Sequence, residues 1–343
     1  SSSTMVQGNL IGTDALGASA IPNGIPGSGA AINIGTASQS ATNNLIGGST
    51  VAARNVISGN RNDGLVITGA GASNNVVQGN YLGVAADGVT PLSNAKRGIV
   101  TLGANSNLFG GNIVGTGNVI AYNGLDGIWL AATFGAFGTP GTNNLVQGNL
   151  IYSNGVSVLT NGGYAAGVTL LGPNVISSNS FLRNVYQDID RGGDGPTANT
   201  PGGAHNSPVI TMARQGSTKV SGVLNGSPQC PYFIEFYFAF CCNSANRDVI
   251  VGGINLETDA AGNAAFDESF PYPAAAGGTI YGIATSRGLC AGGFESSEES
   301  VRVVVLAGRG KSFSAGADLN WMRRAADASV EENLQDARKL AGM

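Results

Sequence analysis

The hydrophobic positions fall in short β-branched runs: Val56–Ile57, Leu65–Ile67, Val76–Val77, Ile99–Leu102 and Val168–Leu170. They recur about every 10 residues, with Gly, Asn or Asp between them. Runs this short make no helical face, and the gaps are too short for helical crossovers. Stacking of strand upon strand is what remains. The phrase NNVVQGNYLG at 74–83 returns as MVQGNLIGTD at 5–14 and NNLVQGNLIY at 143–152. Its anchors Asn9, Asn80 and Asn149 are 80 − 9 = 71 and 149 − 80 = 69 residues apart. A second pair, NVISGNRNDGLVI at 55–67 and NVIAYNGLDGIWL at 118–130, aligns without a gap. Internal repetition decides the fold class: residues 1–190 predict a coil of stacked parallel strands, with roughly 20 residues per turn. Asn suits its corners and can bond Asn from coil to coil.

The pattern changes twice. Residues 191–206, rich in Gly, Pro, Thr and Asn, predict a linker. Over 207–300 six longer runs (Val209–Met212, Lys219–Leu224, Tyr232–Phe240, Val249–Ile254, Ala264–Phe270 and Thr279–Ala284) predict an antiparallel sandwich. Its expected task is to cover a coil end that would otherwise pair with another chain. Residues 301–343 open with the continuous apolar run Val301–Leu306, followed by a Gly-rich loop. A helix follows, with Ser329 and Glu332 as a capping box.

Composition agrees with an all-β coil. Gly accounts for 54 of 343 residues and charged residues for only 11%, so turns and close backbone approach matter more than surface ion pairs. A net charge of −4 offers no basic face for nucleic acid. No apolar run is long enough to span a membrane. The tail stands apart, with 7 + 5 = 12 charges in 301–343 against 38 − 12 = 26 before it. Cys230, Cys241, Cys242 and Cys290 all lie within 207–300, an even number that points to an oxidising compartment. A bond between adjacent Cys241 and Cys242 would be strained. This favours the two connectivities that pair each of them with Cys230 or Cys290, the alternative being four reduced thiols.

The units of residues 4–190 resemble right-handed parallel β-helix repeats of bacterial surface and secreted proteins. Residues 207–300 resemble the Ig-like sandwich modules that follow such arrays. These resemblances imply an extracellular or cell-surface, monomeric scaffold of adhesion type. Its partners would be surface glycans or neighbouring surface domains. The words FSAGADL and GADLNWM in the tail resemble the crotonase superfamily, the enoyl-CoA hydratase/isomerase enzymes, in its methylglutaconyl-CoA hydratase branch. That resemblance implies a cytoplasmic α/β domain acting on a coenzyme A thioester. The backbone N–H of Ala317 would serve as an oxyanion-hole donor, and Ser314, Ala315, Asp318 and Leu319 would line the acyl-CoA pocket. The resemblance covers about forty residues and lacks the second donor and the acid–base glutamates, so no hydratase activity is expected from this chain. Because the chain opens inside a repeat and its halves imply different compartments, it is read as a chimeric or fragmentary gene product joined near residue 300.

Candidate chemistry in the coil is sparse. Asp63, Asp87 and Asp126 each precede Gly and read as turn residues rather than as the carboxylates of a polysaccharide-cleaving site. Lys96–Arg97, the only basic pair in the coil, reads equally well as the basic group such a site would need or as a solvated loop. Trp129, between Ile128 and Leu130, is expected to face outward and, with Tyr122, to be open to stacking on sugars; Tyr81 and Tyr152 are further candidates. Asp188, Asp190 and Asp194 are weighed as a calcium site. No cofactor is required. His205, the sole histidine, has no metal-ligating neighbour in sequence.

Overall fold

The computed structural model describes residues 2–25, 27, 29–132, 139–157, 165–203, 206–214, 218–240, 248–274, 278–287, 295–297 and 303–304. The helix expected in the tail and the Ala317 region therefore lie outside the described residues, as do Cys241, Cys242, Cys290 and His205. What is described is almost wholly β. The one helical turn among these residues is the 3-10 turn Val51–Ala53.

Residues 5–191 form three parallel sheets of six strands each. The first contains Met5–Val6, Leu45–Gly47, Val76–Gln78, Leu108–Gly110, Leu145–Gln147 and Val175–Ser177. The second runs from Leu10–Ile11 to Ser180–Leu182 and the third from Ile32–Ile34 to Ile189–Arg191. Each coil contributes one strand to each sheet in turn. Residues at the same position in successive coils stack: Ile46, Val77, Phe109, Val146 and Ile176 from the first sheet, Ile57, Leu82, Ile120, Ile151 and Phe181 from the second, Leu65, Ile99, Ile128, Val168 and Ile189 from the third. All fifteen are fully buried in one core, each worth about 1.5–3 kcal/mol by transfer from water.

Corners between strands bury backbone that no strand can pair, and asparagine ladders satisfy it. One runs through Asn44, Asn75, Asn107, Asn144 and Asn174, a second through Asn9, Asn55, Asn80, Asn118, Asn149 and Asn179, a third through Asn60, Asn94, Asn123, Asn154 and Asn184. Their polarity is uniform. Asn118 donates from Nδ2 forward to Asn149 Oδ1 at 2.9 Å and backward to the Val77 carbonyl at 2.8 Å. Its own Oδ1 accepts from Asn80 N at 2.9 Å and Asn80 Nδ2 at 3.1 Å. One side chain thus ties together three coils.

These ladders correct the expected coil length. The steps of the second ladder are 46, 25, 38, 31 and 30 residues, not 20. The runs do recur about every 10 residues, but three strands make a turn rather than two. The same steps explain the sequence repeat, since 46 + 25 = 71 and 38 + 31 = 69: the repeat is two coils long. Alternate coils carry alternate insertions. A hairpin closed by the Thr13–Ala20 bridge has its counterpart two coils on, at Val84–Pro91, and Ala86 N donates to Gly17 O at 2.9 Å. The loops after Gly47 and Gly110 occupy the other corner of the coils between. Gly115 lies so close to Ser49 that a Cβ would come within 2.2 Å of its carbonyl. Gly47 has φ +85, and a Cβ there would meet Gln78 O at 2.0 Å; both constraints require glycine.

Beyond the coil, all six predicted longer strands form, within two antiparallel sheets. Val220, Leu224 and Phe266 of one sheet share an apolar core with Ile234, Phe236, Phe238 and Ile280 of the other. This second part closes the last coil. Ser296 N donates to Asn174 O at 3.1 Å, Ile176 N to Ser296 Oγ at 2.9 Å, and Ser180 Oγ to Asp248 O at 2.7 Å. Tyr237 and Tyr281, stacked at 5.1 Å, join the core of the coil itself. The buried carboxylate of Glu235 accepts from Ser177 Oγ, Ser178 N and Ser178 Oγ of the coil and from Tyr237 Oη. Unpaired strand edges that invite association are thereby covered.

Two predictions follow from these junctions. Replacing Asn118 with Ala removes the acceptor of Asn80 N and of one Asn80 Nδ2 hydrogen, and one donor to the Val77 carbonyl, at a buried corner. It should cost about 2–4 kcal/mol in denaturant unfolding, against less than about 1 kcal/mol for Asn9→Ala at the exposed first coil. Burial holds the Glu235 pKa above its ordinary value of 4.5, against the lowering effect of its serine donors. The folded chain therefore retains a proton that the unfolded chain has released. That stability is complete below the unfolded value and is lost as pH rises through the folded one. Unfolding midpoints measured from the ordinary carboxyl range to neutrality should fall for the unaltered chain and stay flatter for Glu235→Gln.

Candidate functional site on the third sheet

Two residues before each strand of the third sheet, successive coils place Asp63, Arg97 and Asp126 in one column. Each is followed by a glycine whose N–H donates to the next coil: Gly64 to Arg97 O, Gly98 to Asp126 O and Gly127 to Ala166 O. The turn reading of these aspartates accounts for their backbone, and Asp87 likewise closes its own hairpin by accepting from Val89 N and Thr90 N at 2.9 Å. Those bonds, with the Thr90 hydroxyl first among them, hold Asp87 below the ordinary carboxyl range.

Side chains add what the turn reading did not contain. Asp63 Oδ1 accepts from Arg97 N at 3.0 Å. Arg97 Nε donates to Asp126 Oδ2 at 2.9 Å, and Asp126 Oδ1 accepts from Ala166 N and from Thr169 Oγ1. The guanidinium then lies 4.0 Å over the Trp129 ring. Arg97 is thus not a solvated loop residue: its side chain is 22% exposed and that of its partner Asp126 only 5%. A second pair of this kind escaped the sequence reading altogether. Arg54 donates to Gly79 O at 3.0 Å and covers the Tyr81 ring at 4.1 Å. Its only signal in sequence is an arginine one coil before a tyrosine.

Trp129 faces outward as its neighbours require, over an outer apolar cluster of Val66, Val100, Leu102 and Ala131. Tyr122 lies elsewhere, in the turn after the second-sheet strand Val119–Ala121. There it has φ +55 and packs edge-on to Tyr152 at 5.3 Å. Trp129 and Tyr122 therefore sit beside different sheets and form no common platform. Asp188, Asp190 and Asp194 are not brought together either. Asp188 accepts from Asn184 Nδ2 at 2.9 Å, ending the third ladder, while Asp190 accepts from Gly193 N and Gly195 N. Asp194 is exposed. Among the described residues no three His, Cys, Asp or Glu side chains group to hold a metal ion. Cys230 is disulfide-bonded, to a partner outside the described residues.

Chemically, this column is a closed network. Asp126 has donors on both oxygens, and Arg97 is directed to two carboxylates and a ring. A general acid or base needs a position facing substrate, and Asp126, 5% exposed with donors on both oxygens, does not offer one. The arrangement orients, and it seals the outer edge of the sheet.

No protein-family profile matches the chain. A protein of Thermus thermophilus described as an enoyl-CoA hydratase is 48% identical over 44 residues, which are 13% of this chain and 17% of that protein. The chain thus spans about a sixth of that relative's length. The matched length is within one residue of the 343 − 300 = 43 residues of the tail.

Removal of Arg97 should expose the function of the column. With the buried Asp126 carboxylate left without its cation, Arg97→Ala is expected to lose about 1–2 kcal/mol, discounted for the partial exposure of the pair. Lys96→Ala should stay within about 0.5 kcal/mol. Trp129 emission, read alongside the unfolding midpoint, should shift in the first variant and not in the second.

Proposed function

We propose that residues 1–300 are a non-catalytic scaffold of the extracellular or cell-surface kind: a right-handed parallel β-helix closed by an Ig-like sandwich. The observation that carries this reading is the commitment of the coil's polar side chains to the coil itself, in the Asn ladders and the Asp63–Arg97–Asp126 column. Right-handed winding is supported by the near-universal hand of parallel crossovers. The disulfide at Cys230 favours an oxidising compartment. Such a surface would meet glycans or neighbouring domains through its loops.

A second reading rests on the tail. The identity of 48% over 44 residues supports a segment of enoyl-CoA hydratase type, joined near residue 300 and expected in the cytoplasm. In that reading Ala317 N–H would stabilise a thioester oxyanion. A segment of this length encloses no acyl-CoA by itself, so hydratase activity would belong to a longer product.

The two readings separate in one experiment on source cells. A tryptic digest should yield the peptide Gly288–Arg302 if scaffold and tail are translated as one chain. Reproducible recovery of peptides from both sides without the bridging one would mean two separate proteins. For the purified chain, no hydration of an enoyl-CoA and no release of unsaturated oligosaccharide are expected. Turnover of either substrate would overturn the scaffold reading.

A further inference from the structure

Asparagine followed by glycine is the pair most prone to spontaneous cyclisation, because a side-chain-free glycine lets its main-chain nitrogen approach the asparagine Cγ. Five such pairs occur, at Asn23, Asn123, Asn154, Asn161 and Asn225. Asn161–Gly162 lies outside the described residues. In three of the other four, the attacking nitrogen is already engaged. Gly124 N donates to Asn94 O at 2.9 Å, Gly155 N to Asn123 O at 3.0 Å and to Leu125 O at 2.8 Å, and Gly226 N to Gly262 O at 2.7 Å. Their asparagines are held as well. Asn123 and Asn154 are buried rungs of the third ladder, and Asn225 donates to Asn263 Oδ1 at 2.8 Å.

Asn23–Gly24 differs on every count. Both residues are exposed, and Gly24 N–H donates to no group among the described residues. Gly24 has φ +82. The Asn23 side chain is held by a single bond, from Nδ2 to Asn60 Oδ1 at 3.2 Å. We propose that Asn23–Gly24 is a self-modification site at the foot of the third ladder. Gly24 N loses its proton to hydroxide and bonds to Asn23 Cγ, and the side-chain nitrogen takes a proton from water, which regenerates hydroxide, and leaves as ammonia. Water then opens the cyclic imide at either carbonyl, giving aspartate or isoaspartate. The product carries a new negative charge where Asn23 had donated to Asn60. A carboxylate oxygen facing the Asn60 carbonyl oxygen is repelled, so the modification loosens the first coil from the ladder.

The test is incubation of the intact chain in mildly alkaline buffer, followed by site-resolved peptide mass spectrometry. Asn23 should convert, as an aspartate and isoaspartate mixture, at least about tenfold faster than Asn123, Asn154 and Asn225, a difference of about 1.4 kcal/mol in barrier. In urea, where no backbone bond holds the glycine nitrogens, the four sites should convert at similar rates. An intact Asn23 in the folded chain, or conversion of any of the other three at its rate, would overturn the proposal. So would persistence of the difference in the unfolded chain, because local sequence and not the fold would then be protecting the other three.

Discussion

Every corner of the coil buries peptide groups that no strand can reach, and the fold stands or falls on pairing them. An unpaired buried donor or acceptor costs about 1–3 kcal/mol. Asparagine answers this because one planar amide has an acceptor and two donors, placed to reach backbone and side chain together. Asn80, Asn118 and Asn149 therefore stand one above another for the same reason that Leu82, Ile120 and Ile151 do. The apolar stack supplies driving force, and the amide stack supplies register. A slip of one residue would misplace both.

Much of this was legible in the sequence, and the limits of legibility have a physical basis. Short β-branched runs gave the strands, the recurrent asparagines suggested their own ladders, and the alternation Ile128–Trp129–Leu130 put the ring outside. The length of one coil was not readable, because the strongest self-similarity joins coils one and three rather than neighbours. Insertions touch their like across an intervening coil, as Gly17 does Ala86, and so the sequence repeats at the distance of contact between insertions. Arg97 eluded the reading for a related cause. Its partners Asp126 and Trp129 lie 29 and 32 residues away and become neighbours only once coil length is known.

The polar cluster on the third sheet carries the same lesson into function. Carboxylates, a guanidinium and an outward-facing, half-buried indole in one place have the composition of a binding or catalytic site. Their geometry is that of a joint: Asp126 holds Arg97, Arg97 covers Trp129, and Thr169 completes the shell. Residue types alone do not separate these outcomes; the direction of each donor does. At the far end of the coil, Glu235 and Ser296 perform a similar service for strands that would otherwise end in open bonds.

The uniform direction of the ladders also makes the coil electrically asymmetric. Each asparagine turns its carbonyl toward the first coil and sends one N–H toward the last, so the amide dipoles add along the axis instead of cancelling. Positive potential gathers at the last coil, much as at the start of an α-helix. That is where Asp188 accepts from Asn184 and where Glu235 meets Ser177 and Ser178.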